Sequence, residues 1–199
     1  MFATQKPVAL KIPEILTHPN IPKPLHGLNP RTLLGKEWWD KTRYGAQEDY
    51  DYCCAACGVP KQEAKKHQWL EGHEYWNIDY TTGICEVVKI VPLCHYCHNF
   101  IHSGRLINLY SLGKKPKKEV IEILEHGFKI LSENSLDCFP GTLKVAERVG
   151  ARMFKVKAYT LPQEVALPWN GYKLRLEGKL YNSLFRSYEE WEEYYSNAN

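Results

Sequence analysis

Hydrophobic and polar positions divide the chain into a proline-broken start, a middle of short strand-like and helical runs, and a tail of helices and one hairpin. Six of the twelve prolines lie before residue 31 (Pro7, Pro13, Pro19, Pro22, Pro24, Pro30). Fixed φ and missing N–H donors exclude a long helix or a central strand there, so the segment reads as an extended arm. A first helix is expected from Asn29-Pro30, a cap residue followed by proline at the first helical position. Trp38 and Trp39 on it read as packing residues. His67 to Trp76 carries aromatics and Leu near alternate positions and reads as extended. Asn77 to Gly83 is rich in turn formers. Ile84 to Val91 is β-branched and short, a strand stopped by Pro92. Together they predict a β-hairpin. After Cys94, the residues His98, Ile101, His102 and Arg105 recur at helical spacing.

Further along, Val120, Ile123, Leu124 and Phe128 give Glu119–Leu131 a helical pattern. Leu143–Val149 is a shorter helix with Gly150 as its stop. Trp169–Tyr181 reads as a hairpin turning at Gly178. Ser187-Tyr188-Glu189-Glu190 matches a capping box before an aromatic, acidic terminal helix. There is no internal repeat or low-complexity stretch. The expected class is α+β, organised as an arm with the first helix (1–45), a central module (46–110) and a C-terminal α+β region (111–199).

Composition changes this picture little. Charged residues are 25%, hydrophobic residues 44% and the net charge +3, which permits nucleic-acid binding without demanding it. No run approaches the roughly 18 apolar residues of a membrane span. The start lacks the apolar core of a signal peptide. The expectation is a cytoplasmic protein with no membrane partner, in which seven cysteines serve as metal ligands rather than disulfides.

Four of those cysteines have a pattern. Cys54-Ala55-Ala56-Cys57 and Cys94-His95-Tyr96-Cys97 are two C-x2-C knuckles. A two-residue gap lets one tight turn present two thiolates to a tetrahedral Zn2+, and Gly58 suits the sharp backbone after the first pair. Cys53 is an alternative to Cys54 with poorer spacing to Cys57. Cys85 and Cys138 read as buried small residues. A structural zinc would close the loop between the knuckles and stabilise a module with little core of its own.

The histidines set this module apart from a simple zinc ribbon. His98 and His102 are four apart and share one helix face, a geometry that chelates a divalent ion. His73 lies on the first strand with Glu74 next to it. Adjacent strand residues point to opposite faces, so the pair cannot both face the helix unless the strand bulges or ends there. Arg105, Lys114, Lys115, Lys117 and Lys118 are candidate phosphate contacts, with further basic positions at Lys144, Arg148, Arg152, Lys155 and Lys157. The acidic run Glu189, Glu190, Glu192 and Glu193 would repel DNA.

The order Cys-x2-Cys, Leu70-Glu71-Gly72-His73-Glu74, turn, strand, Leu93-Cys94-x2-Cys97-His98-x3-His102 resembles the HNH endonucleases of the ββα-metal fold. It is most similar to a bacterial and phage subset with zinc-stapled knuckles, over residues 30–106. The resemblance implies an enzyme that hydrolyses DNA phosphodiester bonds, nicking or cutting both strands and leaving 5′-phosphate and 3′-hydroxyl ends. One catalytic divalent ion, Mg2+, Mn2+ or another, is implied beside the structural Zn2+. His98 and His102 match its helix ligands, and His73 matches the first-strand histidine. Aligned from Leu70, His73 is a ligand and Glu74 the general base; shifted by one, His73 is the base. Where the family has its middle Asn this chain has Lys89, which can contact phosphate. Asn77, expected in the turn, is a second source of an amide. The alternative function is a non-catalytic zinc ribbon that binds nucleic acid or protein. A third reading is an RNase, or a nuclease of defence or counter-defence systems. Oligomeric state is left open.

Overall fold

The computed structural model describes residues 11–18, 21–160 and 167–197. The chain is α+β, with six α-helices and a four-stranded mixed sheet among those residues. It divides into two compact units. Met1–His18, Arg43–His73 and Val91–Tyr159 make up the first, and Pro19–Thr42, Glu74–Ile90 and Thr160–Asn199 the second.

The helices follow their capping signals. α1 (Pro30–Asp49) starts where expected, with Asn29 Oδ1 accepting from the Thr32 amide at 2.9 Å. Gly35, at φ +86, interrupts it, a conformation that glycine adopts without a Cβ penalty. α2 (His95–Ile101) and α3 (Ser103–Ser111) replace the single helix expected after Cys94. The break falls at His102 (φ −86, ψ 39), whose amide still bonds to the His98 carbonyl at 3.2 Å. α4 (Lys117–Glu133) and α5 (Pro140–Val149) match the two later helical patterns, and Gly150 ends α5 in the left-handed conformation.

In the first unit, α4 is the support for the other helices. Val120, Ile123, Leu124, Phe128 and Leu131 are buried along it, and Phe100 of α2 meets Phe128 edge-on at 5.2 Å. Gly127 makes this packing close: a Cβ there would lie 2.1 Å from Cδ2 of Phe100. The proline-rich start is not a loose arm over its described part. Pro13–Thr17 is a 3-10 turn with Ile15 and Leu16 buried, because two adjacent apolar side chains find the helical core.

In the second unit, β3 (Lys173–Leu176) pairs parallel with β2 (Ile84–Leu93) and antiparallel with β4 (Lys179–Asn182). β1 (Glu71–Asp79) completes the order β1-β2-β3-β4. Glu177 and Gly178, both at positive φ, make the β3–β4 turn, the backbone of a type I′ hairpin. Cys85, Leu174, Leu176 and Tyr172 form a core with Leu25 and Leu28, and Trp38 packs on it. α6 (Tyr188–Asn197) carries its cap, with the Glu190 amide donating to Ser187 Oγ.

Three strand expectations need correction. β1 begins at Glu71 rather than His67, because Lys66 takes a positive φ and His67 stacks on Trp69 instead of extending. Asn77 is an exposed residue within β1 rather than in the turn. The turn is 80–83, held by Asp79, whose Oδ1 accepts from the Thr81 amide at 2.9 Å. Pro92 does not end β2, which runs to Leu93. The β3 register covers only Ile84 to Glu86, so the missing N–H of Pro92 leaves no rung of that pairing unmade.

Candidate metal centres

The first knuckle is built by backbone. The Cys54 amide donates to the Val59 carbonyl at 2.9 Å and the Gly58 amide to the Cys54 carbonyl at 2.8 Å. Gly58 sits at φ +74. The Ala55 amide donates to the Pro92 carbonyl at 2.8 Å, tying this loop to the end of β2. The second knuckle is the start of α2: Cys94 is its extended N-cap and accepts from the His98 amide at 2.9 Å.

These two turns bring Cys54, Cys57, Cys94 and Cys97 together, every Sγ within 4.8 Å of the others. Cys57 Sγ and Cys94 Sγ are 3.9 Å apart. A ZnS4 tetrahedron with bonds near 2.3 Å has edges of about 3.8 Å, so the quartet fits a metal such as zinc. Cys53 is outside it. Burial opposes ionisation of Cys54, but hydrogen bonds from the other three thiols outweigh burial and hold its pKa well below the ordinary value. Burial, then the neighbouring sulfurs, push Cys97 well above it. Four thiols this close cannot all ionise unless a cation balances their charge. His126 Nε2 lies 3.4 Å from Cys97 Sγ, as outer partners of zinc thiolates do. Cys85 and Cys138 are fully buried elsewhere, each pushed up to about 12 by burial.

Beside the quartet, His73, His98 and His102 form a second donor group with ligand atoms within 4.8 Å of one another. Their ring centroids are 4.7 to 5.4 Å apart. His73 is buried at 2% exposure. Burial, then the charges of His98 and Arg105, lower the His102 pKa to about 3. It is therefore a neutral imidazole, the form that binds metal. Glu71 completes the arrangement: its Oε2 lies 2.7 Å from His98 Nδ1. A carboxylate accepts, so Nδ1 carries the hydrogen and Nε2 is the nitrogen available to an ion. Burial opposes the charge on Glu71, but hydrogen bonds from His95 and His98 outweigh it and hold its carboxyl well below the usual range.

Glu74 is in neither donor group among the described residues. Strand alternation instead gives Glu71 and His73 one face. That two-residue spacing was the sequence signal for Glu71. His67 and His95 form a third group with Glu71; no spacing in the chain marks it, because His67 lies in an irregular loop.

Arg105 and Lys114 are exposed. Lys115 is committed to an ion pair with Glu119, which Lys66 also reaches at 2.8 Å. Lys89 is exposed on β2, with Nζ 5.7 Å from the centre of the Tyr75 ring. Among the described residues, no helix is long and apolar enough to cross a membrane. No family model, curated protein or solved structure matches the chain.

Proposed function

We propose that the chain is a metal-dependent DNA endonuclease of the HNH, ββα-metal kind. The observation that carries the reading is the histidine group. His73 from the strand and His98 and His102 from the following helices converge next to a four-thiolate site, with Glu71 orienting His98. A zinc module that only binds has no use for a second group of histidine donors. The chain order β1, β2, α2 is compatible with a ββα arrangement and supports the reading.

The donor set, three imidazoles, fits a transition ion such as Zn2+ or Mn2+ better than Mg2+. When bound, such an ion neutralises charge on the scissile phosphate and on the leaving 3′ oxygen. His98 and His102 would hold it from the helix side. His73, buried beside them, would hold it from the strand; an imidazole so buried is better placed to bind an ion than to exchange protons with bulk water. Glu71 keeps the His98 tautomer correct through the cycle. Water attacks phosphorus in line, the P–O3′ bond breaks, and the water proton ends on the 3′ hydroxyl. Arg105, exposed less than a turn beyond His102, and Lys114 grip flanking phosphates.

The test is supercoiled plasmid and single-stranded DNA incubated with the protein and Mg2+, Mn2+ or Zn2+. Nicked or linear product bearing 5′-phosphate ends is expected. Intact substrate with every ion contradicts the proposal and favours a binding module.

A further inference from the structure

We propose that His67, Glu71 and His95 form a further divalent-metal site, separate from the thiolate quartet and from the His73–His98–His102 group, suited to a first-row transition ion such as Zn2+. The three donor atoms make a nearly equilateral triangle. His67 Nε2 is 3.1 Å from His95 Nδ1, and Glu71 Oε1 is 3.2 Å from each. Neighbouring ligands on one ion with bonds of about 2.0–2.2 Å are separated by roughly 2.9–3.5 Å. An ion capping this triangle would sit about 1 Å out of its plane, with its remaining positions open.

Proton counting leads to the same place. His67 Nδ1 lies 3.1 Å from the Trp69 carbonyl. A carbonyl only accepts, so Nδ1 carries a hydrogen and Nε2 is the His67 nitrogen available to an ion. Glu71 Oε1 is also an acceptor. A hydrogen on His95 Nδ1 can serve two edges of the triangle. It leaves the third, His67 Nε2 to Glu71 Oε1, as two lone pairs facing each other. A cation at the centre resolves all three edges at once.

The surroundings are those of a held ligand set. His67 lies flat on the Trp69 indole at 3.5 Å, which fixes its plane. The other nitrogen of His95 has the Glu119 carboxylate nearby, Oε1 at 3.8 Å, beyond hydrogen-bond reach. Buried Asn99 donates to the His95 carbonyl at 2.9 Å. The side chains of His67, Glu71 and His95 keep 11%, 27% and 15% exposure, so an ion can enter from solvent. Glu71 then spans two centres, Oε1 toward this ion and Oε2 on His98.

This site does not depend on the nuclease reading, and its test uses metal content rather than cleavage. The full-length protein is dialysed to equilibrium against Zn2+, and bound zinc per chain is compared for wild type and His67→Ala. In parallel, Co2+ loading reports the quartet through its thiolate charge-transfer band. Wild type should hold three ions, and His67→Ala one fewer with the thiolate band intact. Equal zinc in the two proteins overturns the proposal and leaves the triangle to a shared proton. Should His67→Ala lose the thiolate band through misfolding, wild type decides by imidazole 15N shifts during zinc titration. Movement of His67 Nε2 and His95 Nδ1 supports the site. Movement confined to His73, His98 and His102 overturns it.

Discussion

Glu71 and His98 are joined by a 2.7 Å contact between Oε2 and Nδ1, and this contact decides which nitrogen of His98 faces the proposed catalytic ion. Glu71→Gln removes the anionic acceptor while keeping the shape. Divalent-ion affinity at the histidine group should fall by about 10- to 100-fold, the usual cost of losing such a partner. Titration calorimetry in a His67→Ala background that carries only the four-thiolate zinc measures it. Unchanged affinity would mean that the imidazole is held by other contacts.

A zinc held by the cysteine quartet would carry stability rather than chemistry. Structural zinc in such sites contributes roughly 10–16 kcal/mol, against a net stability of about 5–15 kcal/mol for an ordinary domain. Cys57→Ser, or a strong chelator, should abolish the tertiary fold of the first unit. Near-ultraviolet circular dichroism should collapse, and readdition of Zn2+ should restore the wild type only.

His102 gives a pH dependence whose sign follows from its burial. Its pKa is lowered to about 3 from 6.5. As pH falls below about 6.5 the unfolded chain takes up a proton that the folded chain refuses. Stability is therefore lost progressively from about pH 6.5 toward 3, at up to about 1.4 kcal/mol per pH unit from this group. Denaturant midpoints between pH 7 and 4.5, without added divalent ion, should show this slope, and His102→Asn should flatten it.

Gly127 sets the distance between α2 and α4. Gly127→Ala would gain up to about 1 kcal/mol of helix propensity. Its Cβ must nevertheless displace the fully buried Phe100 ring, 2.1 Å away, an overpacking cost of about 1–3 kcal/mol. Net destabilisation in thermal melts is expected, together with weaker binding of the divalent ion, because Phe100 shares α2 with His98. A stabilised variant with unchanged ion binding would contradict this role for the close packing.

Local rules made much of this legible. The two knuckles could be read because a C-x2-C turn is a property of four consecutive residues. The face shared by His98 and His102 survives the break between α2 and α3, since the His102 amide keeps its bond to the His98 carbonyl. The start of β1 was misplaced because a tertiary event, the stacking of His67 on Trp69, overrides an extended-looking pattern. Pro92 reads as a stop because it lacks an N–H, but pairing with β3 is confined to the other end of β2, so no rung of that pairing needs one. Glu71 was open to discovery through its alternation with His73. His95 and His126 were not, because their partners come from β1 and from the Cys97 thiol at distances in sequence that no local pattern spans.

The most direct measurement compares wild type with His98→Ala on supercoiled plasmid, at equal zinc content and over a series of Mg2+, Mn2+ and Zn2+ concentrations. Ion-dependent nicking or linearisation by wild type and its loss in His98→Ala are expected, with the four-thiolate zinc retained. Equal cleavage by both proteins, or none by wild type under any ion, would contradict a hydrolytic centre built on the histidine group.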